Sequence, residues 1–314
     1  MHAENRKILR GTDAVIDTVF IRHAQREAIT PKMLALKKSP SLTPEGISRA
    51  KEWGAQTLRS DQFFLGKYDQ IVFTASAIPR THQTAVAIRD GVKSDRSSLM
   101  LFSKIKGSKY DKILRERPDG RQWNKAKIES AAKKILSPDS QFSLQISNEC
   151  NALQNKIDPE KVIQEALKIL NSDISTLSAY LSIHLLPEIA SRLAHDIVVA
   201  LYDGFMDEEE VDLYMAHPMN YLLNLSRSVL KRRPSNTRFL NVGVTHDFNI
   251  AGMLKGMCGI KSFFEVGGAP DFLSYLHIRM GLDGKGAKST KVFYNGQELV
   301  LLPTIENLFH LDEK

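Results

Sequence analysis

The sequence predicts an α/β fold: a three-layer α/β/α sandwich on a mostly parallel sheet, interrupted by a large helical insert. Three observations carry that expectation. The stretch Val15-Ile16-Asp17-Thr18-Val19-Phe20-Ile21 is nearly continuous in β-branched and aromatic residues, the pattern of a strand covered on both faces. Strand-like and helix-like segments alternate up to about Asp90, which favours parallel strands joined by helices. The alternation then stops: residues 101–233 read as helical with no convincing strand, and strands return at Phe239.

The elements follow in order. The first strand ends at Arg22-His23-Ala24-Gln25-Arg26. A loop through Lys37-Lys38-Ser39-Pro40-Ser41 leads to Leu42-Thr43-Pro44-Glu45-Gly46. Thr43 suits an N-cap, Pro44 the first helical position and Glu45 the positive end of the dipole. The helix runs to about Arg59, with Ile47, Ala50 and Trp53 or Gly54 expected to face the sheet. A second strand over 68–75 leads through Ser76 and Pro79 to Arg80, and residues 81–89 read as helix. In the insert, Asp158-Pro159 opens an amphipathic helix with Val162, Ile163, Ala166, Leu167 and Leu170 on one face. A longer helical stretch over 173–202 is expected to bend at Pro187, and Pro218 is expected to divide the segment after it into two helices. The acidic run Asp207-Glu208-Glu209-Glu210 reads better as a helix N-terminus than as a metal site, with Lys231-Arg232-Arg233 as the matching basic end. A third strand over 239–244 ends at Thr245-His246-Asp247 and is followed by a helix over 248–257. Strand candidates at 273–280 and 292–302 close the fold, with a turn at Asn295-Gly296. The expected division is a core of residues 1–100 and 234–314 and a helical insert of residues 101–233.

Composition is that of an ordinary globular chain, 42% hydrophobic and 25% charged. No uncharged apolar run approaches the ~18 residues that span a bilayer. The stretch before Thr12 is basic, but the apolar segment after it carries Asp13 and Asp17, so nothing there predicts export. Cys150 and Cys258 stand far apart without metal-ligand spacing, and a cytoplasmic chain with reduced thiols is expected. The net charge of +7 is localised. Residues 101–134 hold eleven Lys/Arg against four Asp/Glu, and the difference, +7, is the whole excess. Such a patch either is a solvated, lysine-rich face or concentrates an anionic partner.

Three strand ends share one property: each carries residues able to handle a phosphate. They are Arg22-His23 with Arg26, then Arg80, then His246-Asp247. In a parallel sheet these ends lie on one edge and can converge. Three guanidiniums and two imidazoles around one point repel one another unless an anion neutralises them, and the planar Arg fork matches phosphate oxygens. No Gly-rich phosphate loop, His-x-x-x-His pair or carboxylate cage is evident, so no metal or other cofactor is expected.

Arg22-His23-Ala24-Gln25-Arg26 resembles the Arg-His-Gly-x-Arg signature of the histidine phosphatase superfamily. Leu42-Thr43-Pro44-Glu45-Gly46 resembles that family's Leu-Thr-x-x-Gly helix start, and residues 76–85 its Ser-x-x-x-Arg-x-x-x-Thr-Ala segment. Thr245-His246-Asp247 is similar to the His-Asp pair of the acid phosphatase and phytase branch. The likeness covers the sheet-forming parts, roughly 13–90 and 238–303. It implies a phosphoglycerate mutase-like fold and a metal-independent phosphomonoester hydrolase. His23 would be the nucleophile and form a phosphohistidine. Arg22, Arg26, Arg80 and His246 would hold the phosphate, and Asp247 would be general acid and then base. Ala24 departs from the family's Gly, and Glu27 brings negative charge near the pocket mouth. Glu116 is an alternative acid, disfavoured because Asp247 adjoins His246. A phosphomutase and an inactive phosphate-binding module are the competing functions. The expected partner is a small anionic or polyphosphorylated metabolite, with residues 104–134 as a candidate contact; nucleic acid is not expected, since only Tyr110 and Trp123 offer stacking surfaces there.

Overall fold

The computed structural model describes residues 14–28, 33, 39–60, 62–63, 68–92, 99–102, 125–153, 158–171, 173–232, 237–283 and 286–309. In chain order these form β1 (Ala14–Arg22), α1 (Pro44–Gln56), β2 (Gln70–Ala75), α2 (Pro79–Val92) and β3 (Leu99–Phe102). The helical segment follows as α3 (Lys125–Ile135), α4 (Gln141–Ala152), α5 (Pro159–Leu170), α6 (Leu177–His184), α7 (Pro187–Phe205) and α8 (Glu208–Arg232). The chain returns to the sheet with β4 (Thr237–Thr245), α9 (Asp247–Cys258), β5 (Tyr275–Asp283), β6 (Gly286–Tyr294), β7 (Gln297–Leu299) and α10 (Pro303–Phe309).

The seven strands lie in the order β3-β2-β4-β1-β5-β6-β7. β3, β2, β4 and β1 are parallel, and β5, β6 and β7 continue antiparallel. β1 is central and alternates cleanly. Val19 and Ile21 pack with α1 and α2 on one face, while Ile16 and Phe20 join α7, α8 and α9 on the other. Both faces are therefore covered, which is why the strand reads as an almost unbroken apolar run.

Register sets the functional edge. Arg22 pairs with Thr245 and Ala75 with Val244, so three parallel strands end level. The residues that follow them, His23, Ser76 and His246, leave the sheet side by side. Thr43 caps α1 as expected, its Oγ1 accepting the Gly46 N–H at 2.9 Å. Gly46 has a second duty. A Cβ there would lie 2.2 Å from the Gln25 carbonyl oxygen, so only glycine lets α1 press against the loop after β1.

The structure corrects several expectations. Gly46, Ala50 and Gly54 form the buried stripe of α1, and Ile47 is exposed, because the close contacts favour small residues. At Pro187 the helix breaks into α6 and α7, since Leu185 and Leu186 before the proline are extended. Pro218 lies inside one continuous helix, α8. Tyr214, Met215, Met219 and Leu222 around it are buried, and that packing outweighs the roughly 3 kcal/mol an interior proline costs. The short strand β3 stands where no strand was expected, whereas the turn at Asn295-Gly296 falls where expected, between β6 and β7. Asp207, Glu209 and Glu210 at the start of α8 surround Lys127 of α3. Among the described residues no group of His, Cys, Asp and Glu is arranged to hold a metal ion, and no helix is long and apolar enough to cross a membrane.

Candidate active site

His23 lies just beyond β1, 4% exposed, its backbone N–H donating to the Thr245 carbonyl at 3.1 Å. Its tautomer follows from its neighbours. Arg80 Nε lies 3.0 Å from His23 Nε2, and a guanidinium can only donate, so Nε2 carries the lone pair. Nδ1 therefore carries the proton and donates to the Ala24 carbonyl at 2.9 Å. Burial first, and then His246, Arg80 and Arg22, hold His23 well below the ordinary histidine range. It is a neutral imidazole with its lone pair on Nε2.

His246 mirrors this arrangement at the end of β4. Arg80 Nη2 lies 3.4 Å from Nδ1, and Nε2 faces Ser76 Oγ at 3.2 Å. With Arg80 as donor, Nε2 holds the proton and donates to Ser76. Burial, Arg80, Arg22 and Arg26 hold this histidine well below its ordinary range too. The rings of His23 and His246 meet edge to face, with centroids 5.5 Å apart. Arg80, in the first turn of α2, thus bridges both histidines, and its Nη1 donates to Ser39 at 3.0 Å.

Arg22 faces the opposite side of the pocket. It pairs with Asp247 at 2.9 Å, donates to the Pro270 carbonyl at 2.6 Å and lies over the Phe272 ring, 4.5 Å from its centroid. Its Nε is buried and has no hydrogen-bond partner. Asp247 stands at the start of α9, and its Oδ1 accepts the Phe248 N–H at 2.9 Å. The phenol of Tyr202, on α7, lies beside Asp247. Burial and then the Asp247 charge push that phenol well above its ordinary range, so it stays a neutral donor. Arg26 lies near enough for its charge to act on His246, but both ends of its fork go to Asp173.

The edge therefore brings His23, Arg22, Arg80, His246 and Asp247 together, with Arg26 on the insert side. Ala24 is fully buried, and its N–H donates to Thr84 Oγ1 at 3.0 Å. It is absent from the residues with positive φ, so the backbone there accepts a Cβ without strain. Glu116 and residues 103–124 of the basic segment lie outside the described residues. Asp173, Tyr202 and the loop 270–274 were not singled out from sequence. They come from elements far along the chain whose local patterns signal only helix or turn. That loop includes Leu273, a non-glycine residue at φ 63°.

The fold of this chain is shared with solved phytase structures. No protein-family model and no curated protein sequence matches the chain. Solved structures do. The phytase of Klebsiella sp. ASR1 aligns over 90% of this chain and 83% of its own, with 16% identity and a TM-score of 0.54. The apo phytase of Hafnia alvei aligns over 95% and 96%, with 14% identity and a TM-score of 0.55. The multiple inositol polyphosphate phosphatase of Bifidobacterium longum, in complex with inositol hexasulfate, aligns over 94% and 88%, with 9% identity and a TM-score of 0.52. At these identities the likeness is one of fold.

Proposed function

We propose that this protein is a phosphomonoester hydrolase that works through a phosphohistidine intermediate. The observation that carries the reading is the His23–Arg80–His246 bridge: a neutral, buried nucleophile whose lone pair faces the cation that would hold a phosphoryl oxygen. When phosphate enters, Arg80 turns from the imidazoles to its oxygens, joined by Arg22 through its unpartnered Nε, by Arg26, and by the Nε2 proton of His246, which leaves Ser76. His23 Nε2 attacks phosphorus in line, the P–O ester bond breaks, and protonated Asp247 delivers its proton to the leaving oxygen. Asp247 then takes a proton from water, the oxygen attacks phosphorus, the P–N bond breaks, and phosphate leaves. Charge on the transferring group is met by guanidiniums, and no step here is routed through a metal.

Residues 1–100 and 234–314 form the catalytic core in this reading, and residues 101–233 the cap. Cys150 and Cys258 are free thiols, which suits the reducing conditions of the cytoplasm. The substrate class is a polyphosphorylated small metabolite such as an inositol polyphosphate. The phytase-like fold and the +7 charge of residues 101–134 support that class. Charge reversal at Lys104, Lys106 and Lys109 is expected to raise KM for inositol polyphosphates several-fold more than for an aryl phosphate; an equal effect on both would count against the assignment.

The acid role has its own test. Asp247→Asn is expected to lower kcat about 10²- to 10³-fold on alkyl phosphates, and much less on an aryl phosphate whose leaving group needs no proton. Steady-state kinetics on the two substrates checks this, and equal losses would remove Asp247 as the proton donor. Phosphate release, rather than isomerisation of a phosphorylated acid, separates the hydrolase from a mutase.

A further inference from the structure

Arg26 does not stand open to an incoming phosphate. Nη1 meets Asp173 Oδ2 and Nη2 meets Asp173 Oδ1, both at 3.1 Å. Nη1 also donates to the Glu27 carbonyl at 3.0 Å. The pair is nearly enclosed, its side chains 12% and 8% exposed. Two parallel N–H bonds to two oxygens is the geometry by which arginine grips phosphate, so a carboxylate in that position competes for the same donors.

Asp173 is held in place to do so. Ser175 Oγ donates to Oδ1 at 2.6 Å, and the Asp173 N–H donates to the Ile169 carbonyl at 2.8 Å at the end of α5. Asp173 differs from the other carboxylate that meets a site arginine. Asp247 pairs with Arg22, but when protonated for its acid role it releases that arginine to the substrate. Asp173 lies beside Arg26 in the insert, where the reaction gives it no proton to carry. Its charge is a standing competitor.

We propose that Asp173 is a specificity-determining residue whose carboxylate competes with the substrate phosphoryl group for the Arg26 fork and thereby sets the pocket's affinity for phosphate. The proposal rests on the phosphatase reading of the same site. A phosphate that wins Arg26 displaces Asp173 from the fork, and on turnover Asp173 retakes it and helps the product phosphate leave.

Asp173→Asn keeps the shape of the side chain and its bond to Ser175 while removing the charge. Calorimetric titration of the full chain with inorganic phosphate, together with kinetics on an aryl phosphate, reads the result. The phosphate Kd and the KM are expected to fall together by about tenfold, with no rise in kcat. The gain should vanish when Arg26→Gln is added. Unchanged or weaker phosphate binding overturns the proposal, because Asp173 would then merely orient Arg26. A gain that persists with Arg26→Gln overturns it as well, since the effect would not run through the fork. If circular dichroism shows that Asp173→Asn fails to fold, Ser175→Ala decides. It loosens the carboxylate and should strengthen phosphate binding about two- to threefold; no gain sinks the idea. Phosphate titration needs no turnover, so it decides the role of Asp173 even if the activity tests reject the hydrolase.

Discussion

His23→Ala is expected to reduce phosphate release by about 10⁴-fold or more on every substrate the protein accepts, because no second group can take over the nucleophile's place. His23 is buried, its Nδ1 proton is fixed on Ala24, and its Nε2 is the atom under Arg80. The measurement is a panel of phosphorylated metabolites, inositol polyphosphates and an aryl phosphate, screened with wild type and variant. A rapid alkaline quench should trap labelled phosphohistidine in wild type only. Unchanged activity in the variant would end the phosphohistidine reading.

Asp17→Ala is expected to destabilise the fold by about 3–5 kcal/mol while leaving activity per folded molecule intact. Asp17 lies in the middle of β1 and is 1% exposed. His277 Nε2 donates to its Oδ1 at 2.5 Å and Arg279 Nε at 2.7 Å, while the Tyr68 hydroxyl donates to Oδ2 at 2.6 Å. Gln62 closes the group at His277 Nδ1. Removing the carboxylate strands a cation and two buried polar groups together. Asp17 lies six residues before His23, roughly 20 Å away along an extended chain, so the chemistry should not feel it. Urea unfolding measures the loss, and a change below about 1 kcal/mol would show that water replaces the carboxylate without penalty.

The same groups set how stability follows pH. Burial works against the Asp17 charge, but His277 and Arg279 outweigh it and hold the carboxyl down to about 2. Its contribution is therefore present above the ordinary carboxylate range and is lost only as pH falls toward that value. The histidines act earlier. Burial foremost holds His23, His246 and His277 below the ordinary value, so each stays neutral in the native state where the unfolded chain binds a proton. Stability is then full above about pH 6.5 and declines below it, by up to about 1.4 kcal/mol per pH unit for each histidine. Urea midpoints between pH 7.5 and 5.5 should fall accordingly, and a flat profile would contradict the assignment of neutral histidines.

Much of this protein is legible in the chain itself. Strand ends announce themselves where an apolar run meets Arg22-His23 or His246-Asp247, because the period-two core pattern must stop where the backbone leaves the sheet. Thr43, Pro44 and Gly46 announce a helix start and a close approach by the same local chemistry. Pro218 misled because the cost of an interior proline is local, whereas the packing of Tyr214, Met219 and Leu222 that overrides it is not. Ile47 misled for a similar reason: helical periodicity gives several candidate faces, and the one used is chosen by the carbonyls it must approach.

The sequence by itself determined the α/β class and the placing of Arg22-His23, Arg80 and His246-Asp247 at or just after strand ends, since those depend on residue type and on spacing within single elements; the family resemblance made His23 the nucleophile candidate. Only the tertiary structure decided which tautomer His23 adopts, that Arg80 bridges the two histidines, that Tyr202 meets Asp247 and that Asp173 takes the Arg26 fork. Each of these is a directional contact between groups 57 to 166 positions apart, or between insert and core, and its geometry is set by strand register and helix packing. Local sequence carries no trace of either.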